Sequence, residues 1–175
     1  MRFIYHVWFF MLGLLAALAS VSLVRPGNGS WNLVQVPVIV LTLAVFFFKE
    51  DGLAALTIGM GLGLDIVSAY PFFSWLVILA ATALVGWWLS KTVLTNRSLP
   101  SLVLLGAAMH LAFFVFELAV SRAAQIFGGS VWYMVSEIDL WRALIAFGIE
   151  MAVLAIIFII YVRLRGERSR MLTHV

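Results

Sequence analysis

The sequence predicts an all-α membrane protein, a bundle of six transmembrane helices with both termini cytoplasmic, and three observations carry that prediction. Six apolar stretches fill most of the 175 residues and leave only short polar joints. The chain is 65% hydrophobic and 11% charged, with a mean hydropathy of +1.13, whereas charged residues make up roughly a quarter of a soluble domain. Its eleven Lys and Arg residues also divide unequally between the two sides that six crossings define.

Runs of about 17 to 25 apolar residues, at 1.5 Å rise each, cover a hydrocarbon core about 30 Å thick. On that basis the transmembrane domain occupies 1–162, with spans at 3–24, 33–48, 53–68, 72–90, 99–121 and 141–162, and 163–175 form a basic cytoplasmic tail. The first span ends before Arg25-Pro26-Gly27. The second and third are short and are expected to stand upright or behind their neighbours. Between the third and fourth, Pro71 disfavours helical geometry in the preceding residue and marks a tight hairpin. The fifth span fades near Ser121, and the sixth ends at Arg163-Leu164-Arg165.

Arg2, Lys49, Lys91, Arg97, Arg163, Arg165, Arg168 and Arg170 share the side of the termini, against Arg25, Arg122 and Arg142 on the other. By the positive-inside rule the terminal side is cytoplasmic. The tail arginines Arg163, Arg165, Arg168 and Arg170 read as an anchor on anionic lipid rather than a nucleic-acid site, because they adjoin a span. Cysteine is absent, which excludes disulfides and thiolate metal sites. Ala17-Leu18-Ala19 before Ser20 has the form of a signal-peptidase site, but the apolar run is long for a signal peptide.

Four ionisable residues fall within spans: Asp65, His110, Glu117 and Glu150. An aspartate at a helix centre costs about 2.5 to 3.5 kcal/mol to insert, so such groups face the bundle interior, water or a partner. Counted along the helices, all four lie between mid-membrane and the outer leaflet. His110 and Glu117 are two turns apart on one face. Two uses are open: interhelical hydrogen bonding by neutral carboxyl groups, or the wall of a solute pocket. No pair has the spacing of a helical metal motif, and neither metal nor cofactor is expected.

The third span contains Gly59-Met60-Gly61-Leu62-Gly63-Leu64-Asp65-Ile66-Val67-Ser68. Gly59 and Gly63 form a GxxxG pair, which lets a second backbone approach closely, within the bundle or from a partner protein. Gly13, Ala17 and Ser20 form a weaker strip on the first span. The longest loop, 122–140, carries Phe127, Trp132 and Tyr133. It is expected to lay 131–138 on the outer surface, as an aromatic belt or a docking lip. Trp87 and Trp88 suit the belt on the cytoplasmic face. No nucleophile elbow, P-loop, dinucleotide fingerprint or HExxH occurs, so catalysis is not expected; nor is a channel, for want of a filter sequence.

The segment 59–68, followed by Pro71-Phe72 and a span leading to Lys91 and Thr95-Asn96-Arg97-Ser98, resembles the bacterial rod-shape-determining membrane proteins of the MreD family. The motif likeness covers 37–98, and size and topology extend it to the whole chain. Phe73 stands where many relatives have glycine. The resemblance implies a noncatalytic scaffold of the elongasome in the bacterial plasma membrane, serving peptidoglycan synthesis and cell shape. The expected partners are the bitopic MreC, the actin-like MreB, and RodA with its penicillin-binding transpeptidase. Gly59, Gly61, Gly63, Asp65 and Ser68 would form its packing seam. The family is similar in turn to the S subunits of energy-coupling-factor vitamin transporters, the alternative reading, in which Asp65, His110, Glu117 and Glu150 line a pocket.

Overall fold

The computed structural model describes residues 2–23, 35–48, 50–67, 74–94, 97–126 and 140–172. They form six helices: α1 (Arg2–Leu23), α2 (Val36–Phe47), α3 (Glu50–Val67), α4 (Ser74–Thr92), α5 (Leu99–Ile126) and α6 (Leu140–Leu172). No strand occurs among the described residues. Four stretches are long and apolar enough to cross a membrane: Phe3–Val21, Ser74–Thr92, Leu99–Ala124 and Phe147–Leu164. The chain is thus an all-α protein of multi-pass membrane character. The hairpin expected at Pro71, with Phe72 and Phe73 after it, the aromatic segment 131–138, Thr95, Asn96 and Ser68 lie outside the described residues.

The largest departures from the apolar boundaries are at two helix ends. α5 continues from Ser121 to Ile126, and α6 continues from Val162 through the arginines to Leu172. Hydropathy falls at those points, but Arg, Ala, Gln, Leu, Glu and Met keep high helix propensity, so the helices outlast their apolar character. α3 begins at Glu50.

The helices alternate in direction. Gly106 of α5 meets Leu154 of α6 while His110 meets Glu150, an antiparallel register. Phe10 and Ala17 of α1 meet Gly59 and Gly63 of α3, a parallel one. The end where α1, α3 and α5 finish is here termed distal, and the opposite end proximal.

α2 is the pillar of the bundle. Its twelve residues rise about 18 Å, too little to cross a bilayer, and it packs against each of the other five helices. Pro37, Val38, Ile39, Leu41, Thr42, Ala44 and Phe46 are buried. Phe46 and Phe47 meet Phe158 and Tyr161 of α6, with ring centroids 6.1 and 4.5 Å apart. Leu41, Leu79, Leu102, Leu105 and Met109 complete the centre of the core.

Buried hydroxyls are satisfied locally. Thr42, Thr57 and Thr82 each donate to the carbonyl four residues back, at 2.8, 2.7 and 2.8 Å, so none needs water inside an apolar core. Phe3, Ile4, Trp8, Leu15 and Leu18 of α1, with Ile156, Ile159 and Ile160 of α6, face outward. An apolar exterior of this extent suits lipid as solvent.

Candidate functional site

The close approach of α1 and α3 is made by glycines on both helices. A methyl group at Gly59 would stand 3.0 Å from the Phe10 carbonyl carbon and nearer still to its oxygen. At Gly13 it would stand 2.8 Å from the Met60 amide nitrogen, and at Gly63 it would stand 2.7 Å from the Ala17 methyl carbon. These neighbours are backbone or short side chains, which no rotamer change can move. Gly61 faces elsewhere: its side meets Leu76 of α4, whose Cα would lie 2.7 Å from an added methyl. The glycine-rich run therefore serves two neighbours within this chain, with Gly59 and Gly63 on α1 and Gly61 on α4.

Asp65 sits just past that run and binds the start of α4. Its Oδ1 accepts from the Trp75 N–H at 2.8 Å and its Oδ2 from the Leu76 N–H at 3.1 Å. The first turn of a helix has amide groups with no intrahelical acceptor, and α4 carries no acidic residue in its own first turn. A carboxylate from the preceding helix does the work of an N-cap and complements the dipole. Asp65→Ala is expected to destabilise the protein by about 1 kcal/mol, and Asp65→Asn, which keeps one acceptor oxygen, by less. Thermal unfolding in detergent measures both; an equal loss would contradict the capping role.

Glu150 performs a parallel task for α2. Its side chain is fully buried. Oε1 accepts from the backbone N–H of Gln35, the residue before α2, at 2.5 Å, and Oε2 lies 2.6 Å from Nδ1 of His110. Gln35 provides no side-chain cap, and Pro37 in the first turn has no N–H to satisfy. Its own carbonyl accepts from Val38 and Ile39 at 2.9 and 3.2 Å, so Glu150 completes the start of the pillar helix. One carboxyl group thereby ties α6 to both α2 and α5.

His110 is 23% exposed and lies edge-on to the Phe147 ring, with centroids 5.4 Å apart. Glu117, two turns further along α5, is partly exposed, and its side chain forms no hydrogen bond among the described residues. The four ionisable residues thus divide. His110 and Glu150 are hydrogen-bonded to each other, and Glu117 follows His110 two turns along the same face of α5, whereas the hydrogen bonds of Asp65 lead to α4. No group of three or more His, Cys, Asp or Glu that could hold a metal ion occurs among the described residues.

Other features of the site were not evident in the amino-acid pattern. Gln35 acts through its backbone, and Gly106 is a socket for Leu154 and Met151. The clue to the first was an apolar helix starting at Val36-Pro37 without a capping side chain. Arg163 is exposed where α6 leaves its apolar stretch, and the helix backbone carries Arg165, Arg168 and Arg170 beyond it. Lys91 stands 5.9 Å over the Trp87 ring near the proximal end of α4.

No protein-family model matches the chain, and no curated protein or solved structure matches it either.

Proposed function

We propose that the chain is a noncatalytic scaffold in the bacterial plasma membrane, related to the MreD proteins and serving the cell-elongation machinery. All six helices are taken as crossings, the proximal end being cytoplasmic because eight of the eleven basic residues belong to it. The short α2 then crosses within a sleeve of its five neighbours.

The observation that carries this reading is how the membrane-depth carboxylates are used. Asp65 and Glu150 each hold the start of another helix, an arrangement that joins elements and leaves those oxygens engaged. A scaffold needs a rigid bundle and an outer surface for partners. Because α1 and α4 fill the glycine faces of α3, a bitopic partner of the MreC kind would meet the lipid-facing surface instead.

The transporter-subunit reading draws on one feature, the placing of His110, Glu117 and Glu150 on a single flank in the distal half. Purification from bacterial membranes, followed by mass spectrometry of proteins and small molecules, separates the two. A scaffold is expected to bring down a single-span protein and elongation enzymes without a bound solute. A vitamin-like molecule retained by the parent and lost in both His110→Ala and Glu117→Ala would reject the scaffold and favour the transporter subunit.

A further inference from the structure

The surroundings of eight helical glycines are described, and seven of the eight are tightly enclosed: a methyl at Gly13, Gly52, Gly59, Gly61, Gly63, Gly86 or Gly106 would crowd a neighbour. Gly148 is different. A methyl there would meet nothing within 4 Å among the described residues, so close packing among them does not account for it. A glycine inside a helix weakens it by increasing the backbone freedom that helix formation must remove.

Its position coincides with a change in how α6 is held. On the proximal side Leu154 is buried, and Met151, Val153 and Phe158 pack against the core. On the distal side Leu144 and Ile145 are exposed, and none of Leu144, Ile145, Phe147 and Ile149 belongs to the packed set. Glu150 stands at the border, with its oxygens tied to α2 and α5. In this distal stretch the described ring contact is that of Phe147 with His110.

We propose that α6 bends at Gly148, with Glu150 as the fixed point and residues 140–147 as the arm that swings. Few residues need change backbone angles for such a hinge. The swing carries Phe147 off the imidazole and opens the flank bearing His110 and Glu117. The arm is therefore a cover for that flank, whatever the flank binds. This inference does not depend on the scaffold reading.

The absence of cysteine allows site-directed spin labelling without background. Labels at Leu144→Cys with Val115→Cys report the distal gap between α6 and α5, and labels at Ile160→Cys with Leu104→Cys report the proximal gap; all four positions are exposed. In lipid nanodiscs the distal pair is expected to give a broad or two-peaked distance distribution and the proximal pair a narrow one. Gly148→Ala is expected to reduce the bent population about fivefold, the equivalent of about 1 kcal/mol, and to leave the proximal pair unchanged. A distal distribution as narrow as the proximal one in the parent, or one that Gly148→Ala does not narrow, overturns the hinge. If Gly148→Ala instead abolishes capture of a co-purifying protein at unchanged distances, the open space beside Gly148 is a docking groove and the hinge is rejected.

Discussion

Glu150→Ala is expected to be among the most destabilising single substitutions in this protein, by about 3 kcal/mol, although it removes a charged residue from an apolar bundle. Hydropathy alone predicts the reverse, because a carboxylate at a helix centre costs about 2.5 to 3.5 kcal/mol to insert. The outcome turns on what remains behind. Both oxygens are engaged and the side chain is fully buried, so alanine leaves the Gln35 N–H without its described acceptor, His110 without its hydrogen-bonded partner, and a space among α2, α5 and α6. An orphaned buried polar group costs about 1 to 3 kcal/mol. Interhelical hydrogen bonds in membranes average only about 0.6 kcal/mol, which sets the lower limit if those groups find new partners. Glu150→Gln retains an oxygen for Gln35 and is expected to lose about 1 kcal/mol. Glu117→Ala is the control, since the Glu117 side chain forms no hydrogen bond among the described residues. Unfolding in graded detergent mixtures ranks the three. Should Glu117→Ala prove as harmful as Glu150→Ala, the tie between α6, α2 and α5 has been misread.

The helices were legible because length and apolarity are properties of the chain itself. Each of the six helices among the described residues falls on an apolar stretch between polar joints, and four of those stretches are long enough to cross a membrane. Boundaries were less so: α5 and α6 extend past their apolar runs, at Ser121 and Val162, because helix propensity and lipid compatibility are separate physical quantities. Asp65 and Glu150 stood out as acids at membrane depth, but their partners did not. Those partners are backbone N–H groups of Trp75, Leu76 and Gln35, and every residue except proline has such a group, so composition cannot single them out.

A rule about unmet donors narrows that gap. α2 is preceded by Gln35, which offers no side-chain cap, and α4 has no acid in its first turn. Each uncapped start is a demand for an acceptor, and in an apolar bundle water is not available to meet it. Each buried carboxylate in a neighbouring span is an acceptor seeking donors. Matching the two sets links Asp65 to the helix that follows it in the chain. It also makes Glu150 a contender for α2, although the separation of 115 residues means that only the fold can select it.

Gly59→Leu is expected to be at least as damaging, with a loss of about 3 kcal/mol or more and a sharp fall in the yield of folded protein. Adding volume to a packed core usually costs about 1 to 3 kcal/mol, because side chains and backbone shift to make room. Here the first obstacle is the Phe10 carbonyl, so leucine can be admitted only by separating α1 from α3. That separation would also undo the contacts at Gly13 and Gly63, where added methyls would meet the Met60 amide nitrogen and the Ala17 methyl at 2.8 and 2.7 Å. The damage should therefore exceed that of one misplaced side chain. Gly59→Ala already intrudes on the same carbonyl and is expected to fall between parent and leucine. Gly148→Leu, with no described residue within 4 Å of the added Cβ, should fold with parental yield and makes the comparison independent of leucine's effect on insertion. Fluorescence-detected size exclusion after membrane extraction measures all three. Equal yields of Gly59→Leu and Gly148→Leu would mean that α1 and α3 do not approach through these glycines, and the glycine face would return to being a surface open to a partner.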